Sequence, residues 1–149
     1  MTAVAQLAPT IVVDVANVMG ARADGWWRDR AGAALRLCQE VMALADRGIR
    51  ADLMYGPLPD DPADPAERCF PSWVLVLEGQ AKEAAARIPR SSPRVRVVLA
   101  EGSGDDTIVS EIAALDGSRL VVTADRELRR RCQDLGAAVT GPGWLLGLL

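Results

Sequence analysis

Four acidic side chains stand where the chain turns out of an apolar run. Asp14 closes Thr10–Asp14, Glu78 closes Trp73–Leu77, Asp105 follows Gly102-Ser103-Gly104, and Asp125 comes two residues after Arg119–Thr123. Oxygen donors with no sulfur or imidazole among them suit Mg2+ or Mn2+ rather than zinc. Water bound to such an ion can attack a phosphodiester. The chain has no histidine, which removes serine–histidine triads, histidine general bases and histidine–metal sites. Any chemistry must therefore run on carboxylates, metal and water.

Each acid also has an ordinary explanation. Asp14 can turn the chain, with Asn17 forming an Asx turn. Asp125 can cap a helix beginning at Arg126, and Asp105 or Ser103 can cap theirs. Glu78 can be a solvated loop residue. As a set they weigh against those separate explanations, because four acids on one rim repel unless cations neutralise them. Helical phase sharpens one case. Ile108, Val109, Ile112 and Leu115 define a buried stripe. Asp105 points along it and Asp106 lies about a third of a turn away. Asp105 is the better ligand candidate, with Asp106 supporting it or holding a second ion. The same phase puts Glu40 opposite its apolar stripe, as a solvated surface acid.

The elements that must position these acids alternate in character. Thr10–Asp14 is β-branched enough for a strand buried on both faces. Helical spacing runs from Arg28 to Arg47 and stops at Gly48. Ile49–Tyr55 reads as a second strand, and the proline- and aspartate-rich stretch Gly56–Ser72 as a loop without regular structure. Strands Trp73–Leu77, Arg94–Ala100, Arg119–Thr123 and Ala137–Val139 then alternate with helices Gln80–Ile88, Asp105–Asp116 and Arg126–Leu135. Such alternation calls for a three-layer α/β/α fold with a central, mainly parallel, Rossmann-like sheet. Ligands of these sheets sit outside the carboxyl ends of the strands, where the four acids fall. Strand order is not legible.

With 149 residues, half of them hydrophobic, the chain is expected to form one domain over 10–149 behind a flexible tail, 1–9. No apolar run is long enough to span a membrane. Cys38, Cys69 and Cys132 are odd in number and lack zinc-ligand spacing, which fits a reducing, cytoplasmic setting. The net charge of −3 argues against tight nonspecific DNA binding. Lys82 is the one lysine; the other basic residues are arginines, the better fork for phosphate.

Residues after Asp14 offer substrate contacts. Arginines such as Arg22, Arg28 and Arg30 can hold phosphates, and an indole of Trp26 or Trp27 can stack on a base. The competing expectation is that at least one tryptophan packs into the core and that Asp24 or Asp29 caps the helix. Of the run Arg126, Arg129, Arg130 and Arg131, Arg126 lies nearest the rim as a phosphate contact, and Arg130 points outward. The apolar tail Trp144–Leu149 can cap the sheet or supply a homodimer contact.

Four ordered motifs resemble the PIN-like nuclease superfamily, and within it the NYN domains. They are Asp14-Val-Ala-Asn17, Glu78-Gly79, Gly104-Asp105-Asp106-Thr107-Ile108 and Val122-Thr123-Ala124-Asp125-Arg126, covering about Ile11 to Val139. Glu78 stands where many relatives carry aspartate, and Tyr55-Gly56 is an alternative counterpart of that acid–glycine turn. The resemblance implies a PIN-like fold, Mg2+ or Mn2+ at the carboxylates, and hydrolysis of RNA. Asp14, Asp105 and Asp125 would be catalytic, with Glu78 and Asp106 completing the metal ligands. Asn17, Thr123, Arg126, Arg28 and Trp27 would serve the substrate, with Thr123 hydrogen-bonding a carboxylate or water. Two other functions fit the same residues: hydrolysis of a small nucleotide, and a non-catalytic module that binds nucleic acid or protein.

Overall fold

The structure, a computed structural model, describes residues 9–54, 67–88 and 92–149. The expected N-terminal tail up to residue 8, Tyr55-Gly56 and most of the proline-rich loop lie outside the described residues.

Strand β1, Thr10–Asp14, runs into a short helix α1, Val15–Gly20, and then a 3-10 turn at Trp26–Arg28. Helix α2, Arg30–Arg47, follows; Asp29 caps it by accepting the Gly32 N–H at 2.9 Å. Strand β2, Ile49–Arg50, pairs antiparallel with β3, Arg68–Cys69. The remaining strands are β4, Ser72–Leu77; β5, Val95–Leu99; β6, Arg119–Val122; and β7, Ala138–Thr140. Between them lie a 3-10 helix at Gly79–Arg87, α3 at Gly104–Ala114 and α4 at Arg126–Asp134. Helix α5, Pro142–Leu146, ends the chain.

The main sheet has the order β5-β4-β1-β6-β7, and every neighbouring pair is parallel. The chain builds outward from β1 through β4 to β5, then returns to add β6 and β7 on the other side. That reversal makes a switch point at the carboxyl ends of β1 and β6. Alternation along the strands feeds two cores. Ile11, Val13, Trp73, Leu75 and Val122 pack with residues of α1, α2 and the 3-10 helix. Val12, Val74, Val76 and Val121 pack against Ile108 and Ile112 of α3 and Leu128 and Cys132 of α4. The three layers expected from the sequence are present.

Three elements differ from expectation. The strand expected at Ile49–Tyr55 shrinks to Ile49–Arg50, outside the main sheet, and the chain goes into a 3-10 turn at Ala51–Leu53. After Ile49 the run Ala51-Asp52-Leu53-Met54 has no β-branched residue to favour extension. The stretch Gly56–Ser72 is not wholly irregular, since β3 lies in it and Ser72 begins β4. Gly48, at φ +74°, admits β3: a Cβ there would sit 2.9 Å from the Phe70 ring. The helix expected at Gln80–Ile88 is 3-10 rather than α. Its buried face repeats at Ala81 and Ala84, and eclipsed i, i+3 side chains are tolerable when they are this small.

Candidate active site at the switch point of the sheet

Asp14 is the centre of the arrangement. It ends β1 beside β6 and caps α1, its Oδ1 accepting the Asn17 N–H at 3.4 Å. Its Oδ2 accepts the Thr123 hydroxyl at 2.9 Å, a bond between side chains 109 residues apart. Only 6% of Asp14 is exposed. Burial pushes its carboxyl up to about 6; the bonds from Thr123 and Asn17 oppose the shift, and the charges of Asp105 and Glu78 add to it.

Glu78 leaves β4 and accepts the Gly104 N–H at 2.7 Å through Oε2. Gly104 is small for this reason, since a Cβ there would lie 2.9 Å from the Glu78 carboxyl carbon. Ser103 accepts the Asp106 N–H at 3.2 Å and caps α3. Asp105, in the first turn of that helix, is half-buried. Burial raises its carboxyl, and the charges of Asp125, Glu78 and Asp106 push the same way against the pull of Arg131. Asp125 follows β6 and caps α4, accepting the Leu128 N–H at 2.9 Å.

Asp14, Glu78, Asp105 and Asp125 thus leave different segments and act on one another electrostatically at one edge of the sheet. Three of them also serve as ordinary acceptors of backbone N–H groups. Among the described residues, no three acidic or thiol side chains are already drawn together around a point that could enclose an ion. The donors remain all oxygen, which fits a hydrated Mg2+ held through one or two carboxylates and its own waters better than a closed protein cage.

The other candidate residues are placed as follows. Thr123, expected to serve the substrate or to hydrogen-bond a carboxylate, is fully buried. Its hydroxyl donates to Asp14 and accepts the Asp125 N–H at 3.2 Å, so it ties two acids together. The Asn17 side-chain oxygen, expected to orient a ligand or phosphate, accepts the Ala124 N–H at 2.8 Å and fastens α1 to the loop after β6. The side chain of Asp106 is 74% exposed and paired with Arg131 at 3.0 Å. Glu40 is not simply solvated: it forms a forked pair with Arg22 at 2.7 and 2.9 Å. Trp26 packs against the core, and its partner Trp27 is 56% exposed beneath the Arg28 guanidinium, 5.7 Å from the ring centre. Arg126 is exposed at the start of α4. Arg130 faces solvent, paired with Glu127 and Asp134.

Beside Glu78 lies a cleft of about 520 Å3, between α1, the Gly79–Ala81 turn and Gly102. The sequence held no signal for it, because its walls come from four separated segments.

Five parallel strands between helical layers, with carboxylates at the switch point, define an α/β protein consistent with a PIN-like fold. Among solved structures, Rae1 (YacP) from Bacillus subtilis is similar at a TM-score of 0.62, over 94% of this chain and 74% of that one. The two share 15% sequence identity, so the likeness is one of fold. No family model matches the sequence, and no curated protein matches it. No helix among the described residues is long and apolar enough to cross a membrane.

Proposed function

We propose that this chain is a nuclease that hydrolyses single-stranded RNA with Mg2+ or Mn2+. The observation that carries the proposal is the gathering of acids at the switch point, where burial holds the Asp14 carboxyl at about 6 and the charges of Asp105 and Glu78 add to the shift. A fold that keeps such acids together without a cation bears a standing electrostatic cost, and a bound cation relieves it. One or two carboxylates of the set Asp14, Asp105, Asp125 and Glu78 would hold the ion directly, and the others would act through its bound waters. When bound, it supplies a water of lowered pKa and neutralises charge on the phosphoryl oxygens.

The chain's own residues do the rest. Thr123 holds the Asp14 carboxylate in one orientation, and Asn17 keeps the Asp125 loop against α1. Arg126, near Asp125, would contact the RNA phosphates, while Arg28 and Trp27 form an exposed cation–indole pair suited to phosphate and base. The test is cleavage of labelled single-stranded RNA by the purified chain. Activity should need Mg2+ or Mn2+, stop in EDTA, and be lost in Asp14→Asn and Asp105→Asn. Activity that survives EDTA or Asp14→Asn would belong to a contaminant.

A non-catalytic binding module on the same fold is favoured by one observation: Glu78 and Asp125 are already satisfied by backbone N–H groups. Under that reading Mg2+ would not stabilise the protein and RNA would bind without being cut.

A further inference from the structure

The main sheet ends differently on its two sides. Its β7 edge is three residues long and leads straight into α5, whereas its β5 edge runs for five residues, Val95-Arg96-Val97-Val98-Leu99. Proteins blunt such an edge with a proline, a lysine, a bulge or a cover. Strand β5 has neither proline nor lysine, and its register with β4 runs unbroken from Trp73 opposite Val95 to Leu77 opposite Leu99. Its one charge, Arg96, is engaged by Glu111 of α3 at 2.6 Å. Leu99 is 48% exposed. Two bonds at the strand ends fix where the backbone groups point. The Trp73 N–H donates to the Arg94 carbonyl, and the Ala100 N–H to the Leu77 carbonyl. Alternate residues address opposite sides of a strand, so Arg96 and Val98 turn toward β4 while Val97 and Leu99 turn outward. Among the described residues, the backbone N–H and C=O groups of Val97 and Leu99 have no partner.

We infer that β5 pairs antiparallel with β5 of a second copy of this chain, joining the two sheets across a twofold axis at Val97. The strand is its own complement, as a twofold contact requires. Outward-turned residues must oppose each other to exchange hydrogen bonds, and the register centred on Val97 uses the whole strand. Val97 then meets Val97 of the other copy. Each Leu99 meets a Val95, so an exposed leucine is covered by a half-buried valine. Arg96 comes opposite Val98, where its aliphatic stem covers apolar surface while its head stays with Glu111. The flanking charges agree with this pairing. Arg94 precedes the strand and Glu101 follows it, and both are exposed. Antiparallel pairing about Val97 sets Arg94 of each copy beside Glu101 of the other; parallel pairing would set like beside like. Arg94 lies over the Phe70 ring at 5.1 Å from its centre and has no ion pair among the described residues, so its N–H edge stays open. One strand pair is a small contact, so the dimer should form with a Kd of about 10–100 µM. Opposed strands send the two acidic rims to opposite ends, and the inference does not depend on what those rims do.

The test is sedimentation equilibrium of the full chain from about 5 to about 500 µM, with amide hydrogen exchange followed at both ends of that range. The chain should pass from monomer to dimer. Exchange at Val97 and Leu99 should slow as it does, while Arg96 and Val98 stay protected throughout. Leu99→Lys, at an exposed position, should raise the Kd about tenfold. Glu101→Arg, also exposed, should do the same, since it turns two attractions into repulsions. Adding Arg94→Glu to Glu101→Arg should restore the dimer, because the two charges exchange places. A chain still monomeric at about 500 µM overturns the inference. So does a dimer whose Kd ignores Leu99→Lys, or one whose formation leaves exchange at Val97 and Leu99 unchanged, because either result puts the contact elsewhere. Protection of Val97 and Leu99 only by an added extended peptide, in a chain that stays monomeric, makes the edge a peptide site and also overturns it.

Discussion

Replacing Asp14 with asparagine should make the metal-free protein more stable at neutral pH. The carboxyl sits at about 6 against an ordinary 3.8, a shift of about two units. At about 1.4 kcal/mol per unit, ionising it in the folded state costs about 3 kcal/mol relative to the unfolded chain. Asparagine carries no charge to desolvate. Its oxygen can still accept the Asn17 N–H, and its amide can donate to Thr123 Oγ1 once that hydroxyl turns. Imperfect geometry in this exchange costs about 1 kcal/mol, leaving a net gain of about 2 kcal/mol. For a chain of this size that is roughly 6 °C in Tm. The sign with pH is fixed by the raised pKa. Wild-type Asp14 contributes stability below about pH 4, where it is protonated in the folded state, and loses it as pH rises through about 6. The advantage of Asp14→Asn should therefore be largest above pH 7 and vanish or reverse near pH 4. Paired urea melts in EDTA at both pH values measure the difference. Added Mg2+ should stabilise wild type and leave the variant almost unmoved. A variant that loses more than about 2 kcal/mol at pH 7.5, or a difference independent of pH, would make Asp14 a core hydrogen-bonding group and refute the reasoning.

Thr123→Val removes the donor to Asp14 and the acceptor for the Asp125 N–H, so it should destabilise by about 2 kcal/mol in denaturant melts. It should also move Asp14 titration, followed by carboxyl NMR, to higher pH. Gly104→Ala forces the Glu78 carboxyl away from a contact of 2.9 Å and should cost about 1 kcal/mol, with a smaller Mg2+-induced rise in Tm. In Arg130→Ala, stability and RNA cleavage should both stay near wild type, with stability within about 0.5 kcal/mol, because its partners Glu127 and Asp134 are exposed.

Much of the scaffold was legible because its causes are local. The β-branched run ending at Asp14 forms β1, and the stripe Ile108–Ile112 faces the sheet as its helical phase requires. Capping at Ser103 and Asp125 follows from residue type and position. The half-burial of Asp105 and the exposure of Asp106 likewise follow from helical phase. The misreadings also have local causes. Ile49–Tyr55 has apolar content without β-branching after Ile49, and Gln80–Ile88 has alanines equally at home in a 3-10 turn.

The sequence by itself determined where strands end in acids, and that no histidine stands among them. Only the tertiary structure decided which of those acids meet. Thr123 reaches Asp14 across 109 residues, Asn17 reaches Ala124 across 107, and Glu78 reaches Gly104 across 26. Periodicity encodes the face a residue presents, but not the neighbour that face finds. The neighbour depends on strand order, and here the return of the chain to the far side of β1 puts β6 next to Asp14. Burial at that junction raises the Asp14 carboxyl, because desolvation belongs to the assembled layers and to no segment alone.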